Sequence, residues 1–168
     1  MANKHRIAIG SLALSASALV GLAVHEGYTD TAVIPVKGDV PTLGFGMTQR
    51  PDGSPVQMGD RTNPLDALKR TLAYTQNADA QIRQCVTAPL HQKEFDLMAD
   101  FGYQYGIRAL CKSSIVARAN AGDYRGSCEA YKLYRFVAGY DCSTPGNRRC
   151  MGVWNRQLER YTACMEAQ

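Results

Sequence analysis

The longest uncharged stretch of the chain, from Ile7 to Val24, most constrains what this sequence can fold into. Its 18 residues follow a short basic start, and that length is the lower limit for a helix that spans a bilayer. Ala, Gly and Ser fill ten of these positions, and such residues contribute little transfer free energy. The free energy that favours insertion of this segment into lipid is therefore small.

Four interpretations of this segment compete. It could be a signal peptide cleaved at the small-x-small site Ala16-Ser17-Ala18, a permanent anchor, a signal-anchor-release segment, or a plain core helix without membrane history. A release segment inserts, leaves the membrane uncleaved and packs onto the soluble domain. We favour it because an uncleaved helix running into Glu26 keeps that acid at a helix end. Residues 1–25 are then the hydrophobic helix, and residues 26–168 are the globular domain.

Composition narrows the functional classes. The chain has 168 residues, enough for one domain with a core, and a net charge of +4, which suits contact with an acidic wall polymer. No basic tract is interleaved with aromatic residues, so we expect no nucleic-acid partner. We expect a monomer without a cofactor or a bound metal, because no Cys-x-x-Cys occurs and no His lies at close ligand spacing to a cysteine.

The six cysteines predict disulfide bonds. An even number in a small, exported chain is typical of cross-linked folds, whereas reduced buried thiols are the alternative. Six cysteines allow 15 pairings, and the sequence does not select among them. The cysteines are Cys85, Cys111, Cys128, Cys142, Cys150 and Cys164.

The chemistry-bearing pattern begins directly after the uncharged stretch. Glu26-Gly27 is followed by a β-prone run, 31–36, a turn at 37–39, and a returning strand, 42–45. An acid at a helix end that faces a hairpin carrying Asp39 and Thr42 is suited to glycoside hydrolysis. That reaction needs one carboxylic acid to protonate the leaving oxygen and a second polar group to hold water or stabilise the sugar cation. A solvated helix end is the alternative interpretation of Glu26.

The same stretch resembles the phage lysozymes, or endolysins, whose signature runs Glu-Gly, an acid, then Thr-x-Gly-x-Gly. Downstream, residues 90–106 resemble the central helix of that family, and 113–124 and 145–149 resemble its later helices, in the family's order. The resemblance implies an α+β, lysozyme-like fold, mainly helical with a small β-hairpin lobe at the active-site cleft. It implies cleavage of the β-1,4 bond between N-acetylmuramic acid and N-acetylglucosamine in peptidoglycan, with Glu26 as general acid.

The chain departs from the family pattern at the second acid. Ile34-Pro35-Val36 occupies the place of the usual aspartate, and the nearest acid is displaced to Asp39. Asp39 is our choice to orient the water, Thr42 would help to hold that water, and Asp30 is the alternative acid. Met47 replaces a usual histidine. A lytic transglycosylase and a non-catalytic wall-binding protein of the same fold remain alternatives.

The remaining predictions concern the helical part. Asn63-Pro64 should open a helix with a possible break near Asn77, and 92–105 should be a core helix. Ser113 or Ser114 should cap the next helix, and Trp154 should anchor the last one in the core. The family's use of release segments implies an inactive enzyme tethered to the host inner membrane through residues 7–24, which becomes active in the periplasm.

Overall fold

The computed structural model describes residues 5–35 and 38–168. Most elements are helices, and two small antiparallel hairpins complete the α+β fold predicted from the sequence. The helices are α1 Ala16–Glu26, α2 Pro64–Cys85, α3 Gln92–Tyr105, α4 Ile107–Cys111, α5 Ser114–Asn120, α6 Tyr124–Ala130 and α7 Met151–Glu166. The strands are β1 Thr29–Val33, β2 Thr42–Gly44, β3 Phe136–Val137 and β4 Tyr140–Asp141.

The chain divides into two compact units, and the division falls within α2. The first, called here the hairpin unit, comprises the described residues of 14–78. The second, called here the disulfide unit, comprises the described residues of 5–13 together with 79–168. Every cysteine belongs to the disulfide unit, because the first one in the sequence is Cys85.

The hairpin unit is built on β1 and β2. The antiparallel register pairs Val33 with Thr42 and Thr29 with Gly44, and a bulge lies between those two pairs. Ala32 and Leu43 are buried together with Val56 in a small apolar cluster beneath the hairpin. The predicted hairpin is therefore confirmed, although its first strand spans 29–33. The predicted turn at 37–39 lies partly outside the described residues.

The uncharged segment does not form one helix in the described structure. Residues 9–11 make a single 3-10 turn, Leu12 is buried, and α-helix begins only at Ala16, where the Ser15 hydroxyl accepts a hydrogen bond from the Ala18 amide. The prediction of a continuous helix over this segment is thus wrong for the folded chain. Serine competes for backbone hydrogen bonds and favours helix caps, and Ser15 is the N-cap of α1 in the folded chain.

The start of the described chain is folded onto the disulfide unit. Ile7 and Leu90 exchange two backbone hydrogen bonds of 2.9 and 3.0 Å. The Arg6 guanidinium binds the buried Glu94 carboxylate at 2.8 Å and stacks over the Tyr124 ring, with its central carbon 3.5 Å from the ring centroid. Glu94 is held further because its carboxylate accepts the His91 amide at the start of α3.

Three disulfide bonds cross-link the disulfide unit, as the cysteine count predicts. Cys85–Cys111 joins the ends of α2 and α4, Cys128–Cys164 joins α6 to α7, and Cys142–Cys150 closes a short loop before α7. Within the described residues no cysteine is free.

A buried charge cluster fixes α7 against α3. Arg160, with a side chain only 2% exposed, and Arg156 both bind the Asp100 carboxylate, at 2.6 and 2.8 Å. Burial by itself would raise the pKa of Asp100, but the two guanidinium groups lower it below its ordinary value through charge and hydrogen bonds. The sequence analysis did not identify this cluster.

Two smaller predictions about helices are wrong and two are confirmed. Helix α2 runs unbroken through Asn77, because its apolar stripe continues through Ala78 and Ile82, both buried. Trp154 is only half-buried and lines a surface pocket instead of the core. The prediction for α3 agrees with its observed bounds, and the Ser113 hydroxyl caps α5 by accepting the Val116 amide.

Candidate active site

Glu26 is the last residue of α1, and its position is set by the sequence on both sides. Helix α1 ends there because Gly27 adopts a left-handed φ of 69°, which permits the chain to turn directly into β1. The Glu26 side chain is half-buried. The end of α1 therefore places a half-buried carboxylate beside the hairpin.

Gly46 lies against the Glu26 carboxylate. A Cβ atom built on Gly46 would stand 2.9 Å from Glu26 Oε2, and Gly46 also has a φ of 77°, which L side chains rarely adopt. The turn that carries Gly46 is closed by two backbone hydrogen bonds between Leu43 and Met47, of 3.0 and 3.1 Å. The second glycine of the Thr-x-Gly-x-Gly pattern thus leaves room for the Glu26 carboxylate.

Gly44, the first glycine of the pattern, serves packing. Its φ is 66°, and an added Cβ would meet the Ala67 Cβ at 2.8 Å. The close approach brings β2 against the first turns of α2. The two glycines of the pattern are therefore needed for different contacts. Gly46 makes room for the Glu26 carboxylate, and Gly44 makes room for α2 behind the hairpin.

Thr42 and Asp39 lie at the loop end of the hairpin, where residues 34–41 connect β1 to β2. Thr42 is paired with Val33, and its hydroxyl is 3.4 Å from the Val33 carbonyl oxygen, to which it donates. Asp39 is exposed, and its carboxylate accepts the Val40 amide at 2.9 Å. Both residues belong to the same unit as Glu26.

Asp30 lies in the bulged part of β1, between Thr29 and Val33, and is exposed. Its carboxylate accepts the Thr31 hydroxyl at 3.1 Å. Desolvation and, after it, the Asp30 charge raise the pKa of the Tyr28 phenol. The Tyr28 ring in turn contacts Phe45, with centroids 5.5 Å apart.

The sequence analysis missed a group of charged residues behind the hairpin. Arg50 forms a two-pronged ion pair with Asp60, with donor–acceptor distances of 2.7 and 2.8 Å, and these hydrogen bonds lower the pKa of Asp60 to about 2. The pair lines a groove of about 690 Å³ together with residues at the start of α2. Its members are scattered over 50–70, so neither periodicity nor a motif marks them.

The described residues contain no cluster of three or more His, Cys, Asp or Glu side chains placed to hold a metal ion. The described part of the chain also contains no helix that is both long and apolar enough to cross a membrane.

Comparisons with known proteins agree with this geometry. A family model for phage lysozyme matches residues 23–159, a range that includes Glu26, Asp39 and Thr42. The chain is 27% identical to the endolysin of Salmonella phage P22 over 131 residues, which cover 76% of this chain and 86% of that protein. It is 31% identical to the SAR-endolysin of Escherichia phage 933W over 130 residues, 73% of this chain and 70% of that protein.

A solved structure confirms the fold. The endolysin from Escherichia coli O157:H7 phage FAHEc1 superposes with a TM-score of 0.78 at 27% identity, covering 95% of this chain and 97% of that one. The fold and the acid at the end of α1 define a glycoside hydrolase of the lysozyme type. The chain belongs to the phage lysozyme family.

Proposed function

We propose that this protein is a phage endolysin that lyses its bacterial host by hydrolysing the β-1,4 bond between N-acetylmuramic acid and N-acetylglucosamine in peptidoglycan. Glu26 is the general acid that protonates the leaving oxygen. The observation that carries the proposal is the fit of Gly46 against the Glu26 carboxylate, because only a residue without a Cβ leaves that carboxylate in place.

Asp39 and Thr42 complete the proposed site. Asp39 is exposed in the loop that connects the two strands of the hairpin, where its carboxylate can orient a water, and the Thr42 hydroxyl helps to hold that water. If the water attacks directly, the two carboxyl groups must lie roughly 6.5–9.5 Å apart in the working complex. Asp30 is the alternative second acid, since it is also an exposed carboxylate of the hairpin unit.

The test compares wild type with Glu26→Gln on permeabilised Gram-negative cells, following both turbidity and released reducing ends. Glutamine keeps the shape of the side chain but supplies no proton, so we expect a rate loss of about 10²-fold to 10⁴-fold with unchanged thermal unfolding. Near-normal lysis by this variant would contradict the assignment. Lysis by wild type without new reducing ends would identify a transglycosylase instead.

A matched pair of variants decides the second acid. Asp39→Asn and Asp30→Asn remove the same charge from two exposed positions of the hairpin unit. We expect Asp39→Asn to lose at least about tenfold in kcat and Asp30→Asn to remain near wild type. The reverse ranking would assign the role to Asp30.

We further propose that residues 7–24 tether the inactive enzyme to the host inner membrane and that release into the periplasm activates it as a monomer. In the tethered state, residues 1–25 are the membrane-inserted part of the chain and residues 26–168 are the exported part. Two features support this: the segment is uncharged throughout, and α1 leaves Val20 and Val24 63% and 75% exposed to water. In the membrane-inserted state lipid would cover these two side chains.

The structure of the released state supports a coupling between tethering and activity. In the folded chain residues 7–13 bind the disulfide unit, and α1 carries Glu26. A membrane-spanning helix over residues 7–24 would remove the contacts of residues 7–13 and would hold Glu26 at the bilayer surface. The test is carbonate extraction of membranes from expressing cells together with activity assays of each fraction. Equal activity per molecule in the membrane-bound and soluble fractions would refute the coupling.

A further inference from the structure

The charged groove behind the hairpin contains none of the residues proposed for glycan cleavage. It is lined by four cations and two carboxylates, with Leu43 and Pro51 contributing apolar surface. The cations are Arg50, Arg61, Lys69 and Arg70, and the carboxylates are Asp60 and Asp66. Cations thus outnumber acids two to one in the lining.

The two acids are already engaged within the protein. Asp60 is bound by Arg50 at 2.7 Å, and Asp66 accepts the side-chain amide of Asn63 at 2.7 Å. Arg70 is held by donating to the Gln49 carbonyl oxygen. Arg61 and Lys69 are exposed, and neither forms an ion pair with any residue in the described ranges. Two cations of the lining therefore remain available to an outside anion.

The groove borders the catalytic hairpin on the face opposite to Thr42. Leu43, one of its walls, directly follows Thr42, and successive residues of a strand point to opposite faces. An occupant of the groove therefore does not compete with a sugar at Thr42. It can instead belong to another part of the same polymer or to a neighbouring chain of the wall.

We propose that this groove is an accessory subsite for the free carboxylates of peptidoglycan stem peptides. Arg61 and Lys69 bind the carboxylates by charge-assisted hydrogen bonds, and the apolar lining accepts the methyl groups of the alanine residues between them. The proposal rests on the proposed function, because it assigns a second contact with the same substrate. It predicts an enzyme that binds peptide-bearing wall more tightly than bare glycan.

The first test separates peptide recognition from general attraction. The Arg61→Gln/Lys69→Gln variant is assayed on intact sacculi and on sacculi whose stem peptides an amidase has removed. Lys112→Gln/Arg125→Gln is the matched control, because it removes the same charge from two exposed positions of the disulfide unit. We expect the groove variant to raise KM about threefold to tenfold on intact sacculi, with kcat unchanged, and to leave KM on bare glycan unaltered.

Two outcomes would overturn the proposal. An equal rise of KM in the control variant would mean that net charge alone acts, and an equal rise on bare glycan would mean that the groove does not recognise peptide. If wild type released no reducing ends from either substrate, the proposed hydrolysis itself would fail, and the binding measurement below would still decide the subsite.

The second test measures binding without catalysis. Isolated stem tetrapeptide is titrated into the Glu26→Gln protein, and the change in the backbone amide spectrum is followed. We expect saturable shifts confined to residues around the groove, which the groove substitutions abolish. Absence of binding by the tetrapeptide, with groove-dependent binding of vesicles containing phosphatidylglycerol, would assign the groove to lipid headgroups and overturn the proposal.

Discussion

The hairpin unit and the disulfide unit differ in their stabilising interactions and in their proposed catalytic groups. The hairpin unit carries Glu26, the proposed catalytic acid, contains no cysteine, and holds its charged pair Arg50–Asp60 near the surface. The disulfide unit carries all three cross-links and buries the Arg160–Asp100 pair. Within the described residues, stabilising devices are thus concentrated in one unit and proposed catalytic groups in the other.

The difference teaches how a small enzyme separates stability from reactivity. Ion pairs at the surface contribute little, whereas a buried charge becomes costly once its partner is removed. Gly44 and Gly46 at the hairpin have positive φ values. Each glycine increases the conformational entropy of the unfolded chain, which opposes folding. Substitutions in the disulfide unit should therefore change stability, and those at the hairpin should change rate.

The largest stability effect is expected at the buried charge cluster. Asp100→Asn leaves Arg160 buried without its counter-charge, which should cost about 3–5 kcal/mol of unfolding free energy. Glu129→Gln is the control, because its partner Lys132 is also near the surface and little change in Tm is expected. Thermal unfolding by circular dichroism measures both. Equal Tm values for the two variants would remove the contrast between buried and surface charges.

The next effect concerns the cross-links. Replacing Cys128 and Cys164 together by serine should cost about 2–4 kcal/mol, because the bond closes a long loop in the unfolded chain. The pair Cys142 and Cys150, only 8 residues apart, should contribute less when replaced in the same way. Urea unfolding gives both values, and specific activity below the unfolding transition should stay unchanged. A loss of activity in the folded variants would show that the units are not functionally separate.

The hairpin should respond in the opposite sense. Gly46→Ala introduces a Cβ at 2.9 Å from Glu26 Oε2, so the carboxylate must move, and we expect kcat to fall about tenfold to a hundredfold. Gly53→Ala is the matched control, because Gly53 has a similar φ of 83° but no atom within 4 Å of the new Cβ. Kinetics on purified sacculi compare them. If both variants lost activity equally, backbone strain rather than contact with Glu26 would be responsible.

The smallest effect is a difference in acid sensitivity. The pKa of Asp60 is lowered to about 2 in the folded protein, whereas an unfolded aspartate titrates near about 3.9. Its contribution to stability is therefore complete above about pH 4 and is lost as the pH falls toward about 2. Asp60→Asn should make Tm less dependent on pH within that pH range and not outside it. A difference from wild type that persisted unchanged below it would contradict this origin.

Local sequence signals predicted the elements that depend on local chemistry. The hairpin, the extent of α3, the Ser113 cap and the presence of disulfides follow from turn residues, helical periodicity and cysteine number. The glycines next to Thr42 also indicated where the acid would lie. Glu26, Asp39 and Thr42 fall in one unit, as the pattern required, while their catalytic roles stay predictions.

Features that depend on distant partners were not predictable from one sequence. Arg160 reads as an ordinary exposed position of an amphipathic helix, yet it is buried because Asp100, 60 residues earlier, receives it. The apolar segment reads as one helix, yet residues 7–13 find backbone and side-chain partners near Leu90. Pairings over such separations leave no periodic trace in the sequence.

The contact between Arg6 and Glu94 cannot form until both residues have been synthesised. The two residues are 88 positions apart, and ribosomes add about 5–20 residues each second, so Arg6 precedes its partner by roughly 4–18 s. For most of that interval the apolar segment has been synthesised, whereas its partner residues in α3 have not. In the proposed route, the export machinery can therefore bind residues 7–24 before the folded chain can bury any of them.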